Sequence, residues 1–220
     1  WCPRCGTSLS EHEMTDSYHD VECEAVFCKL PLLDGSAKML VWTTTPWTLT
    51  SNVALAVNKD LTYCYCKVKS DELPVVLCKD AIKCLGTDLV EVVKEVKGTD
   101  LVGKTYETMF PYLEPQKFEH KIVAWDQVDA TEGVGVVHIA PGCGESDFEL
   151  GESLGLQKIN PIDDAGIITG DFGEFAGKST EEVRPLVFEK LKEQNKLYKT
   201  HKYKHRYAFC WRCKTDIVYK

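Results

Sequence analysis

Two Cys-x-x-Cys knuckles stand near opposite ends of this chain, Cys2-Pro3-Arg4-Cys5 and Cys210-Trp211-Arg212-Cys213, with 204 residues between them. A two-residue gap lets a tight turn present two sulfurs to one ion while its N–H groups hydrogen-bond them. One such pair alone could be a redox dithiol; two fit a four-thiolate zinc site better. If one zinc ion joins Cys2, Cys5, Cys210 and Cys213, the two ends meet and the rest of the chain is one long excursion. Loop-closure entropy grows only logarithmically with length, so metal binding readily offsets it. Four thiolates also complete the coordination sphere, so such a zinc holds structure and does no chemistry.

Eleven cysteines in all, an odd number, argue against a closed set of disulfides. The other seven, Cys23, Cys28, Cys64, Cys66, Cys78, Cys84 and Cys143, sit singly among apolar or mixed residues and read as small hydrophobes in a reducing compartment, cytosol or organelle matrix. No apolar run is long enough to span a membrane, and the opening Trp1-Cys2-Pro3-Arg4-Cys5 lacks the apolar stretch of a signal peptide. The abrupt ends read as those of a segment of something longer. The net charge of -8 hides an asymmetry: residues 190–220 hold ten Lys/Arg against Glu193 and Asp216. A basic tail on an acidic body suits a polyanion such as RNA, and equally a solvated helix face and surface strand.

Residues 38–44, 61–68, 90–96, 121–125 and 134–140 are short, rich in Val, Ile, Tyr and Trp, and bounded by turn residues, as strands should be. Helices are fewer. Ser179-Thr180-Glu181-Glu182 has the form of a capping box leading into Val183, Leu186, Val187, Lys190 and Leu191 at helical spacing. Lys79 to Leu85, before Gly86, and Glu145 to Leu154, before Gly155, read as shorter helices. The pattern predicts an α+β fold, a curled mixed sheet or β-barrel-like domain with inserted helices. It forms a single unit over 1–220: a zinc-bearing base from 1–36 and 197–220, and a body from 37–196.

Two polar stretches end strands at a proline. Val41-Trp42-Thr43-Thr44-Thr45-Pro46-Trp47-Thr48-Leu49 packs four hydroxyls and two indoles into nine residues. Gly133-Val134-Gly135-Val136-Val137-His138-Ile139-Ala140-Pro141 runs into a glycine-rich turn and a helix start carrying Asp147. Strand ends of this form commonly carry binding sites. The residues alone also allow Asp147 to be a carboxylate favoured by the helix dipole, and His138 to be satisfied by a backbone partner.

VWTTTPWTLTSNVALAV followed by GVGVVHIAPGCGESDFELG resembles the editing domain of isoleucyl-tRNA synthetases, the connective insertion in their class I catalytic core. The flanks WCPRCGTSLSEHE and HRYAFCWRCKTDIVYK resemble the entry to and exit from that insertion, so the resemblance extends over essentially the whole chain. Valyl and leucyl siblings usually carry T-T-R-P followed by E-T or D-T; Thr45 and Trp47 follow the isoleucyl form. Ser146, where relatives often have an acidic residue, and Cys143 depart from the pattern without removing a residue to which the family assigns a role.

The resemblance implies a proofreading esterase, cytoplasmic and monomeric. Its partners would be the remainder of a parent synthetase and the 3′ end of tRNA(Ile) carrying mischarged valine, with Val-AMP a further substrate. A pocket built for isoleucine cannot strongly exclude valine, one methylene being worth only about 1–3 kcal/mol, a limit for which isoleucyl-tRNA synthetase is itself the standing example. Asp147 would bind the α-ammonium. Thr43, Thr44, Thr45 and Thr48, with Asn52 nearby, would serve the terminal adenosine, the ester and the attacking water. Trp47 and His138 would shape the side-chain pocket, His138 as a steric gate. An aminoacyl ester is already activated, so no general base is required. The ATP-binding signatures of a synthetic site are absent, so no amino-acid activation is expected. A zinc-stapled RNA-binding module without catalysis, and a sibling editing domain acting on another amino acid, are the competing expectations.

Overall fold

A computed structural model of the chain describes residues 1–131 and 133–219. Among these, ten strands form two sheets, neither closed, with three α-helices and several 3-10 turns between them. In chain order the strands are β1 (Tyr18–Pro31), β2 (Lys38–Thr43), β3 (Ala54–Val57), β4 (Thr62–Val68), β5 (Val75–Cys78), β6 (Leu89–Lys97), β7 (Thr105–Tyr106), β8 (His120–Ala124), β9 (Val137–Ile139) and β10 (Leu197–Ala208). The helices are α1 (Glu11–Met14), α2 (Glu145–Leu154) and α3 (Thr180–Glu193). The larger sheet runs β10-β1-β2-β5-β4-β6 and the smaller β7-β8-β3-β9. Parallel pairs β2/β5 and β3/β8 among antiparallel neighbours make both sheets mixed. The α+β expectation holds, as curled open sheets and not a closed barrel. None of the described helices is long and apolar enough to cross a membrane.

β1 has two halves with different partners. Its inner end, Val26–Pro31, pairs with β2 inside the body, while β10 pairs along Tyr18–Cys28, so that only the outer end, before Val26, is a two-stranded ribbon. On one ribbon face Asp20, Glu22 and Glu24 stand directly opposite Arg206, Lys204 and Lys202. The basic tail is thus faced by the acidic residues of β1, each such pair worth a few tenths of a kcal/mol, up to about 1. The other face carries His201, Tyr203, His205 and Tyr207, continued by Phe209, in an unbroken run of ring contacts 5.9 to 6.0 Å apart. Trp42 closes this run edge-on against Tyr203 at 5.0 Å.

The core is apolar and continuous, with Leu30, Met39, Leu40, Leu49, Leu55, Leu77, Phe110, Phe172 and Phe175 among its most deeply buried side chains. Cys28, Cys64, Cys66 and Cys78 lie within it as free thiols, pushed up from the ordinary cysteine range by burial. One charged cluster is buried there: Asp71 receives Lys29 at 2.6 Å and Lys38 at 2.8 Å.

The Ser179–Glu182 capping box forms as expected, with Glu182 N–H on Ser179 Oγ and Ser179 N–H on Glu182 Oε2, and α3 buries Val183, Val187 and Leu191. α2 ends where expected, at Gly155 in the left-handed region (φ 64°). The segment after Lys79 differs. It is a 3-10 helix over Lys79–Asp88, broken by Gly86 at φ 55°, with Ala81 and Leu85 buried and Ile82 and Cys84 packed against the core.

Candidate functional site

The threonine-rich stretch leaves β2 at Thr43 and turns at Pro46 into a buried 3-10 helix, Pro46–Ser51. Proline suits the first position because its N–H is not needed there and its φ is preset. Burial of so tight a turn leaves carbonyls to satisfy, and the hydroxyls answer three residues back: Thr48 Oγ1 donates to Thr45 O, Thr50 Oγ1 to Trp47 O, and Ser51 Oγ to Thr48 O, at 2.8 to 2.9 Å. Part of the hydroxyl richness is therefore structural. At the strand end itself, Thr43 Oγ1 accepts from Thr45 N–H at 3.1 Å and lies 3.2 Å from Thr45 Oγ1.

The second stretch meets the first through β3, which pairs with β9 so that Leu55 faces His138. His138 is 8 % exposed, and its Nε2 lies 2.9 Å from Thr48 Oγ1. Burial holds its imidazole down at about 4, so it is neutral at physiological pH. Asp147, in the first turn of α2, turns away from its own helix and accepts the Ala140 N–H on Oδ2 at 2.8 Å, tying the strand end to the helix start. Desolvation raises its carboxyl above the ordinary aspartate range, since that one hydrogen bond does not make up for the water lost.

These groups border one cavity of about 470 Å³, in which Thr43, Thr44, Thr45, Thr48, His138 and Asp147 come together. Its remaining described lining includes Trp42, Asp129, Cys143 and residues 133–137, and contains no Lys or Arg. Desolvation lifts the Cys143 thiol to about 12; beside Ser51 Oγ at 3.2 Å, it stays protonated and is not a nucleophile. The wall at 133–137 went unrecognised in the sequence as a wall, and its signal was the Gly-x-Gly spacing. Gly133 (φ 71°) and Gly135 (φ 67°) occupy conformations that favour glycine, and a Cβ would lie 2.9 Å from Trp42 and 2.3 Å from Cys78, respectively.

Two expected residues lie elsewhere. Asn52 is fully buried behind the cavity, where its amide donates to Ala54 O and its carbonyl accepts from the Tyr106 hydroxyl, so every polar atom of its side chain serves the fold. Trp47 borders a neighbouring cavity of about 560 Å³, between the aromatic face of the ribbon and the start of α3. Thr44 and Thr45 form the partition between the two cavities. Ser146 is exposed and outside the described lining, which is why its departure from the resemblance leaves the cavity intact.

At the base of the ribbon the two knuckles face each other. The sulfurs of Cys2, Cys5, Cys210 and Cys213 all lie within 4.8 Å of one another, close to the ~3.8 Å edge of a tetrahedron with 2.3 Å metal–sulfur bonds. Both loops are built alike: the residue after the second cysteine, Gly6 or Lys214, sits at φ near 60° and donates its N–H to the first cysteine's carbonyl. Trp1 N donates to Val218 O at 2.9 Å beside them. Without a cation the four sulfurs cannot all ionise: hydrogen bonds from Thr215 bring Cys213 down to about 6, while hydrogen bonding to Cys213, followed by burial, pushes Cys5 up to about 12. The donor set, the spacing and the paired loops fit one metal ion.

No family model matches the chain. Over its whole length it is 41 % identical to the isoleucine–tRNA ligase of Methanothermobacter thermautotrophicus and 40 % identical to that of Clostridium novyi. It spans about a fifth, 21 %, of each of those relatives. In fold it is similar to the crystal structure of GlLeuRS-CP1 (TM-score 0.64, 12 % identity, 80 % of this chain and 99 % of that one). It is also similar to the P. falciparum cytosolic leucyl-tRNA synthetase editing domain (TM-score 0.63, 10 % identity, 81 % and 99 % covered).

Proposed function

Since the chain is homologous over its whole length to one segment of the isoleucine–tRNA ligases and has the fold of synthetase CP1 editing domains, we propose that it hydrolyses the ester joining valine to the 3′-terminal adenosine of tRNA(Ile), and the valyl adenylate. The observation that carries this reading is the chemistry of the smaller cavity. A desolvated Asp147 carboxylate with Oδ1 to spare, a neutral His138 and the Thr43–Thr45 hydroxyls face a space whose described lining holds no cation. A buried carboxylate in such a place favours a cationic ligand, and the α-ammonium of an aminoacyl ester supplies one. Held there, the ester carbonyl lies among oriented hydroxyls that can position water. The ester is activated by its own chemistry, so orientation and a polar surround suffice without a protein nucleophile.

His138 bounds the space for the amino-acid side chain and excludes isoleucine by size, while Trp47 stiffens the partition from the adjoining cavity. The ion at Cys2, Cys5, Cys210 and Cys213 is zinc, with a structural role. The domain works as a monomer within a cytoplasmic parent enzyme, with tRNA as its partner.

The test is deacylation. The chain is incubated with Val-tRNA(Ile) and Ile-tRNA(Ile), at enzyme concentrations high enough to offset weak tRNA binding by a lone domain. Loss of valine with isoleucine spared, abolished by Asp147→Ala, is the expected result. Equal clearance of both esters would remove the size-sieve role, and no ester loss in either would leave an RNA-binding module as the better reading. His138→Ala should relax valine–isoleucine discrimination more than it slows turnover.

A further inference from the structure

The hydrogen bonds around His138 decide where its proton sits. Thr48 Oγ1–H donates to the Thr45 carbonyl oxygen at 2.8 Å, an acceptor whose second lone pair takes the Thr48 N–H at 3.1 Å. The same Oγ1 is 2.9 Å from His138 Nε2. Having no second hydrogen to give, Thr48 accepts from the ring, and Nε2 must carry the N–H. Nδ1 is then the bare nitrogen of a neutral imidazole. It is buried and has no hydrogen-bond partner among the described residues, although His138 borders the cavity. A buried acceptor left without a donor is costly.

Asp147 presents a second acceptor to the same cavity, with one oxygen on Ala140 N–H and the other available. A third candidate acceptor, Asp129, already spends Oδ1 on Thr131 N–H and Oγ1–H. A bare ring nitrogen and a carboxylate, in a cavity whose described lining offers no lysine or arginine, call for a ligand group with positive charge and several donor hydrogens. A primary ammonium has three.

We propose that the relay Thr45 C=O, Thr48 O–H, His138 Nε2–H locks the imidazole in one tautomer, so that Nδ1 and the Asp147 carboxylate together bind the primary ammonium group of the ligand. Thr48 is in this role a positioning residue: it acts through the ring and touches no reacting atom. The ligand half rests on the ester-editing reading above, whereas the tautomer lock does not.

Two measurements separate them. In protein labelled with 15N-histidine at neutral pH, long-range 1H–15N correlation reads the ring nitrogens of His138 directly. The expected pattern is a protonated Nε2 and a bare Nδ1, with Thr48→Val mixing the tautomers and Thr48→Ser, which keeps the hydroxyl, restoring one. A protonated Nδ1 in the ligand-free protein overturns the lock.

The second measurement uses two non-hydrolysable probes: adenosine bearing valine through a 3′-amide, and its isovaleryl counterpart, which lacks only the amine. The valyl probe should move the Nδ1 resonance toward its hydrogen-bonded position and the isovaleryl probe should leave it in place. Thr48→Val should lower the ratio of valyl to isovaleryl affinity by about tenfold. If both probes move Nδ1 equally, or the ratio is unchanged in Thr48→Val, a water or hydroxyl is the partner and the ammonium assignment fails. Binding of neither probe refutes the ester reading and the ammonium assignment together, while the ring nitrogens of the free protein still decide the lock.

Discussion

Asp147 and His138 are displaced from their ordinary ranges by the same cause, burial, with opposite consequences for stability. Burial favours the uncharged form of each. For Asp147 the folded value lies above the unfolded one, so the fold holds its proton more tightly, and this group's contribution to stability falls as pH rises through the folded value. For His138 the folded value, about 4, lies below the ordinary 6.5, so its contribution is fully present above 6.5 and is lost as pH falls toward 4. His120, also lowered by burial, adds with the same sign. Asp147→Asn can still accept the Ala140 N–H while removing the desolvated charge. It should raise the denaturant midpoint at pH 7 and yet cut Val-tRNA hydrolysis by at least about 30-fold, the loss of a charge-assisted contact of about 2 kcal/mol or more. In the unaltered protein, hydrolysis should decline as pH falls through the raised Asp147 value, visible in a pH–rate profile and absent from that of the asparagine variant.

Among the connecting elements, the 133–137 wall combines two left-handed glycines with close side-chain neighbours. Gly135→Ala faces both a left-handed backbone and the Cys78 side chain, costs of about 1–2 and 1–3 kcal/mol respectively. Gly177, at φ 75° with nothing within 4 Å, meets only the first. Urea unfolding of the two alanine variants should therefore rank Gly135 well above Gly177, with unchanged slopes. The same contrast explains what could be read in advance. β2, β4, β6, β8 and β9 were legible because each carries its own apolar or β-branched run, and α3 because its cap and stripe are local. The outer half of β1 alternates charged with mixed residues and is a strand only because β10, some 180 residues later, supplies matching charges and rings. At the site, strand ends, His138 and Asp147 were visible from residue type. The duties of Asn52 and of the Thr48, Thr50 and Ser51 hydroxyls were not, because they depend on which carbonyls a tight buried turn leaves unsatisfied.

For the molecule as a whole, the four-cysteine cluster joins segments that are otherwise held near the ends by few hydrogen bonds, such as Trp1 N to Val218 O. Metal analysis should give one zinc per chain. Chelation, or Cys210→Ser, should lower the melting temperature by on the order of 10 °C, since each kcal/mol lost is worth roughly 2–4 °C at this size. The larger part of the sheet signal in circular dichroism should survive at low temperature, because β2 to β9 do not depend on the cluster. β1 and β10 run antiparallel, with Tyr18 and Ala208 paired at the end nearest the cluster. Tension applied across residues 1 and 219 would pull the two strands apart at that end, across the ribbon, and open it one hydrogen bond at a time, the geometry in which β structure resists force least. With an ion bound by the four cysteines, its metal–sulfur bonds would stand ahead of the first of those rungs. A metal-loaded cluster would thus be a mechanical fuse: while it held, strain arriving through the ends would stop there and not reach the cavity, and once it yielded, the ribbon would peel toward Trp42 and the threonines behind it.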